Sequence, residues 1–167
     1  MNSQIAKLKQ FYLEIERETE RLEQVNHPRL NCRNGCSGCC VDEITIWNIE
    51  AENIRQTHQL LLKEELPNTN GGCAFLTQDG ACRIYRSRPY VCRTQGLPLR
   101  WFDEIESEIY EFRDICPLNE AGEPIENLAD DNCWTIGEPE TTLAELQSEF
   151  GNGEMRRVPL RELFSKK

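Results

Sequence analysis

Cys32-Arg33-Asn34-Gly35-Cys36-Ser37-Gly38-Cys39-Cys40 places four thiols within nine residues. The loop is polar and glycine-containing, so packing alone gives sulfur no reason to be there. Cysteines two or three residues apart can turn their side chains to one point when the backbone between them curls tightly. Gly35 and Gly38 permit such a curl because glycine tolerates positive φ, and Asn34-Gly35 is itself a turn dipeptide. Backbone N–H groups freed by the curl can point at the sulfurs and stabilise thiolate charge. The stretch therefore reads as a grip for a metal ion or an iron–sulfur cluster. Adjacent Cys39 and Cys40 point different ways, so they serve two centres, or one ligates while the other packs.

The remaining ligands must come from later in the chain. Cys73, Cys82, Cys92 and Cys116 are the candidates, and Cys116-Pro117 fits a place where iron–sulfur loops end. Cys133 reads equally well as a small buried hydrophobe. A zinc ion and a [4Fe–4S] or [2Fe–2S] cluster each take four thiolates. Eight thiols could thus serve two zinc ions, a cluster plus a zinc, or one cluster with thiols to spare; a [4Fe–4S] cluster is the leading expectation. His27 and His58, the two histidines, add little to a ligand set. Cys32-x3-Cys36-x2-Cys39 also has the spacing of radical S-adenosylmethionine enzymes. That reading is set aside: residue 38 is Gly where an aromatic is usual, a fourth Cys follows at once, and the chain hardly supplies a barrel.

The whole chain agrees with a thiol-bound metal. It has 167 residues and nine cysteines, and cysteines in a reducing compartment are read as ligands before disulfides. The aliphatic core is thin, so a metal is a reasonable source of extra stability. With 19 Lys and Arg against 29 Asp and Glu, the net charge is −10. Such a surface repels phosphate backbones and argues against a nucleic-acid partner. No apolar leader and no membrane-length apolar run is present, and the expected location is cytoplasmic. No phosphate-binding glycine loop, His-Glu-x-x-His or nucleophile elbow occurs, so whether the chain is an enzyme stays open.

Residues 3–26 predict one amphipathic helix, with Ile5, Leu8, Tyr12, Ile15, Thr19, Leu22 and Val25 on a face that packs on its own domain. His27-Pro28 ends it. A short strand is expected at 44–46, a second helix at 48–65 with Asn48 as N-cap, and a loop at 67–72. Residues 73–76 and 81–85 read as a hairpin through Gln78-Asp79-Gly80 that brings Cys73 and Cys82 together. Arg88-Pro89 opens a helical turn carrying Cys92. A second hairpin, 97–102 with 106–115, is expected to turn at Asp103-Glu104, and the alternation Ile105, Ser107, Ile109, Glu111 suggests a half-buried strand. Residues 119–132 read as loop and 139–150 as a last helix; 151–167 is uninformative.

Arg83, Arg86, Arg88, Arg93 and Arg100 interleave with Cys82 and Cys92. They either offset the negative charge of a thiolate-ligated centre or bind an anionic substrate, or they simply pair with the abundant carboxylates. Arg83, Arg86, Arg88 and Arg93 are the cofactor-binding candidates. Tyr85 and Tyr90 read as core packing.

Taken in order, Cys32-x3-Cys36-x2-Cys39-Cys40, then Cys73-Ala74-Phe75-Leu76 with Cys82-Arg83-Ile84-Tyr85, then Arg88-Pro89-x2-Cys92-Arg93 resemble the YkgJ-like cysteine-cluster family, the zinc- or iron-chelating domain of CxxCxxCC type. The likeness covers about 32–93, with Cys116-Pro117 as an extension. The first gap is three residues where the family pattern has two. The resemblance implies a small metal- or cluster-binding protein. A distant relative with the same signature, the flagellin lysine N-methylase, adds methyl transfer or redox chemistry to the implied roles. The N-terminal helix and 134–167 lie outside it.

The expectation is thus one small α+β domain over 1–167, with helices and short β-hairpins around a cysteine-ligated metal centre. It divides into an N-terminal helix (1–27), a cysteine-rich core (32–116) and a C-terminal extension (134–167). Cys32, Cys36, Cys39, Cys40, Cys73, Cys82, Cys92 and Cys116 are the metal candidates for zinc or an iron–sulfur cluster. The rival reading is a zinc-stabilised interaction module without catalysis.

Overall fold

The computed structural model describes residues 2–33 and 35–164. It is a mixed α+β fold of four α-helices, two small sheets and several short 3₁₀ turns. The first helix, α1 (Asn2–Val25), follows the predicted stripe: Ile5, Leu8, Tyr12, Ile15, Thr19 and Leu22 are all buried, while Val25 at its end is exposed. The Asn26 side chain then donates to the Leu22 carbonyl at 3.0 Å and closes the last turn.

The expected 48–65 helix is broken at His58 into α2 (Asn48–Thr57) and α3 (Gln59–Glu64). At 100° per residue a straight helix would stack Leu61 over Ile54. The break, with His58 at φ −123° and ψ 36°, swings Leu62 into the core instead. Asn48 is the first helical residue rather than the cap. The cap is Trp47, whose N–H donates to the Glu50 carboxylate at 3.1 Å.

Strand β1 (Thr45–Trp47) pairs antiparallel with β5 (Arg157–Pro159), in a stretch the sequence left unread. Strands β2 (Leu99–Ile105) and β3 (Glu108–Asp114) form the second hairpin, and β4 (Trp134–Thr135) joins β2 in parallel. The turn falls at Glu106-Ser107, not at Asp103-Glu104. Trp101 stacks on Phe112 with ring centroids 5.6 Å apart, and that pair sets a register centred between residues 106 and 107. Both turn residues take positive φ, 53° and 69°. The expected half-burial is also corrected: the hairpin projects into solvent, with Ile109 75% exposed. The first hairpin is reduced to one bridge, Leu76 to Cys82, closed by Thr77 N–H donating to the Ala81 carbonyl at 2.8 Å. Helix α4 (Glu138–Phe150) matches its prediction.

Two hydrophobic clusters share α2 between them. The first joins α1 and α4 through Ile49, Tyr90, Leu97 and Trp134. The second takes Ala51 and Ile54 from the other face of α2 and adds Ile46, Phe75, Ile84, Val158, Leu160 and Phe164. Among the described residues, no helix is long and apolar enough to cross a membrane.

Candidate metal centre

Loops with little regular structure, laid over the second cluster, form the site. Two turns shape the thiol loop: the Cys36 N–H donates to the Arg33 carbonyl, and the Cys40 N–H to the Ser37 carbonyl, both at 2.9 Å. Gly35 has the expected positive φ of 86°, whereas Gly38 does not take one; Asn34 lies outside the described residues. The loop is tied to its neighbours through main chain. The Cys73 N–H donates to the Cys40 carbonyl at 2.8 Å.

These contacts bring seven cysteines onto the wall of one cavity of about 520 Å³: Cys32, Cys36, Cys39, Cys40, Cys73, Cys82 and Cys92. They come from four separate stretches of chain. Cys116 is off that wall but next to Cys32, joined to it by Asn119. The Asn119 side-chain amide donates to the Cys32 sulfur at 3.3 Å and to the Gly96 carbonyl at 2.8 Å. Its backbone N–H donates to the Cys116 carbonyl at 2.7 Å. Gly96 makes the close approach possible, because a Cβ there would lie 2.5 Å from the Cys32 sulfur. Cys133 sits elsewhere, buried beside Arg113. All nine cysteines are free thiols.

Burial shapes the proton affinities of these thiols. It raises Cys32, Cys73 and Cys82. Cys92 is pushed up to about 12 by burial and then by the neighbouring thiols of Cys73 and Cys82. Cys39 goes the other way, lowered to about 6, because the Cys40 S–H donates to it and Arg88 lies nearby. Cys40, keeping the shared proton, is raised far above its ordinary value.

Of the five clustered arginines, Arg88 and Arg93 reach the cavity wall, which Arg33 of the thiol loop also lines. Arg88 packs over the Tyr85 ring at 4.3 Å. Arg93 is buried over the Tyr12 ring at 4.1 Å and pairs with Glu16. The Arg83 guanidinium binds Glu65 at 2.8 Å and the Ala74 carbonyl at 2.6 Å. Arg86 is exposed, and its carbonyl accepts from Arg93. Arg100 pairs with Glu111 and Asp130 on the hairpin side.

Three residues that pattern reading passed over support the site. Asn119 and Gly96 hold Cys32, as above. Glu50, buried on α2, accepts from the Tyr12 hydroxyl at 2.8 Å, the Tyr90 N–H at 2.9 Å and the Trp47 N–H. It thereby fixes the turn that carries Cys92. A glutamate at the third position of an amphipathic helix was the one available hint.

The donor set is almost wholly sulfur and is backed by Phe75, Ile84 and Leu160. Soft thiolates in an apolar shell fit zinc or an iron–sulfur cluster and suit hard cations poorly. Among the described residues, no three His, Cys, Asp or Glu side chains are already gathered around a point that would hold a metal ion. The sulfurs line a wall, and metal binding must draw them inward.

Fold and cavity together define a small cysteine-lined metal-binding domain. The model of the CxxCxxCC family, described as "Putative zinc- or iron-chelating domain", matches residues 31–117, and the chain belongs to that family. The matched span holds all eight thiols from Cys32 to Cys116 and stops short of Cys133. No curated protein and no solved structure matches the chain.

Proposed function

We propose that this protein holds an iron–sulfur cluster or zinc through its clustered cysteines, its ligands drawn from Cys32, Cys36, Cys39, Cys40, Cys73, Cys82, Cys92 and Cys116. The observation that carries this is the meeting of seven free thiols from four stretches of chain on one cavity wall. A lone zinc, with Zn–S bonds of about 2.3 Å, needs its four sulfurs packed at a point. A cavity of about 520 Å³ with thiols around its wall better suits a polynuclear centre, and [4Fe–4S] is the leading assignment. Such a cluster supplies one-electron chemistry, and a redox or methyl-transfer role would use this cavity. Arg88 and Arg93, on the wall, counter its negative charge, with Arg83 and Arg86 in the next layer. Free thiols suit a reducing cytoplasm.

The second reading is a zinc centre that serves folding alone. One observation favours it: the ligand loops have almost no regular secondary structure of their own. A metal would then supply folding free energy directly.

Anaerobic purification followed by metal and sulfide analysis tests both. Broad visible absorbance bleached by dithionite, with acid-labile sulfide, is expected. Colourless protein with stoichiometric zinc would favour the folding role, and protein binding neither metal would overturn the proposal.

A further inference from the structure

The wall of the thiol cavity carries three arginines, Arg33, Arg88 and Arg93, and they are not held alike. Arg93 is buried and committed. It pairs with Glu16, lies over the Tyr12 ring at 4.1 Å, and its Nε–H donates to the Arg88 carbonyl at 3.0 Å. Among the described residues, the guanidinium groups of Arg33 and Arg88 have no carboxylate partner and no hydrogen-bond acceptor. Carboxylates are abundant in this chain, with 29 acidic residues against 19 basic ones. Arg83, Arg100, Arg113 and Arg161 each hold one. Glu23 lies on the same wall, yet it pairs with neither free arginine.

Both free groups are placed by their surroundings. Arg88 lies over the Tyr85 ring, its Cζ 4.3 Å from the centroid. Stacking engages the flat face of a guanidinium and leaves its in-plane N–H donors open. The Arg88 main chain is held twice, its N–H donating to the Tyr85 carbonyl at 3.5 Å and its carbonyl accepting from Arg93. The Arg33 carbonyl accepts from the Cys36 N–H at 2.9 Å. Arg33, Tyr85 and Gln95 are exposed and Arg88 is half-buried, so this side is the mouth of the cavity, with Arg93 behind it. A counter-ion needs only charge, whereas these two groups also offer unfilled, directed donors. A guanidinium fork matches the oxygens of a carboxylate or a phosphate. The cavity, about 520 Å³, falls in the range of small-molecule sites, roughly 300–1,000 Å³.

We propose that the mouth of the thiol cavity binds a small molecule bearing a carboxylate or phosphate group, whose oxygens are held by Arg33 and Arg88. This inference rests on the metal-binding reading above and names the class of ligand that the same cavity admits beside its metal.

The test is equilibrium dialysis of the full chain, purified anaerobically with its metal, against radiolabelled inorganic phosphate and radiolabelled succinate. Ionic strength is held constant with chloride. Saturable binding of at least one probe at one equivalent is expected. Tighter binding of phosphate assigns a phosphorylated ligand and tighter binding of succinate a carboxylic acid; either supports the site. Arg33→Gln and Arg88→Lys should each weaken that binding about tenfold with metal content unchanged. Arg33 makes no side-chain hydrogen bond or ion pair, so its variant is expected to fold as wild type does. Arg88→Lys keeps the charge and removes the fork, so a general electrostatic attraction would survive it. No saturable binding of either probe, or binding that both variants keep at wild-type strength, overturns the oxyanion site. Metal and sulfide analysis of the same samples reads the metal proposal separately: metal without anion binding sinks only the oxyanion site, and protein without metal sinks the metal-binding reading.

Discussion

Cys39 is a thiol whose proton affinity its surroundings lower, where burial raises those around it. Its neighbour Cys40 gives it a hydrogen bond and Arg88 adds positive charge, which together lower it to about 6. Near neutral pH it is therefore mostly thiolate, and thiolate is the reactive form. In reduced, metal-free protein at neutral pH, iodoacetamide is expected to label Cys39 first and Cys92, held up to about 12, among the last. Cys40→Ala removes the donor and should slow Cys39 labelling several-fold. Peptide mass mapping reads the order, and uniform labelling of all nine cysteines would contradict it.

Among the elements, α2 does the most positioning, through Glu50. Its carboxylate accepts from α1, from the Trp47 cap and from the turn bearing Cys92. Glu50→Gln turns one acceptor into a donor facing an N–H, an unsatisfied pairing that costs about 1–3 kcal/mol. Burial raises the Glu50 pKa despite these bonds. A folded pKa above the unfolded one means the native state holds the extra proton, so stability is lost as pH rises from about 4.3 through the folded value. Denaturant melts across that window should show the wild-type advantage over Glu50→Gln shrinking with rising pH; a constant gap would show that Glu50 does not titrate differently on folding. The β2–β3 hairpin makes a contrasting element. Glu106 and Ser107 both sit at positive φ, where Asn-Gly is the preferred pair. Asn-Gly there relieves a left-handed cost of about 1–2 kcal/mol per residue, less about 0.5–1 kcal/mol for the entropy of the added glycine, so stability should rise while metal content stays unchanged, because the tip is exposed and off the cavity wall.

At the scale of the whole molecule, metal is expected to hold one half of the fold more than the other. The cavity rests on the second hydrophobic cluster, whereas α1 and α4 close the first without any thiol. Chelation should therefore raise amide exchange in 72–92 and 157–164 and spare α1; equal loosening of α1 would count against this division. Four thiols of the site, Cys32, Cys73, Cys82 and Cys92, are raised by burial, so binding must expel their protons. Apparent metal affinity should then climb as pH rises from about 6 to about 8, readable by competition with a chromophoric chelator.

Much of this was legible in residue order. Thiol density in a glycine-bearing polar loop carried the metal chemistry, and the apolar stripe of α1 carried its buried face, because both are local patterns. The turn of the second hairpin was not legible: Asp103-Glu104 is an adequate turn locally, but the Trp101–Phe112 stack across the strands moved it. The 151–164 stretch looked blank because β5 is a strand only beside β1. Asn119 and Gly96 lie 87 and 23 residues from their respective partners, and nothing in a one-dimensional pattern joins them to Cys32. Residue identity alone told which atoms are available to a metal, since donor type is a property of side chains. Which sulfurs share a wall and which arginines reach it came from the fold, because proximity across a chain is set by the packing of loops on a core.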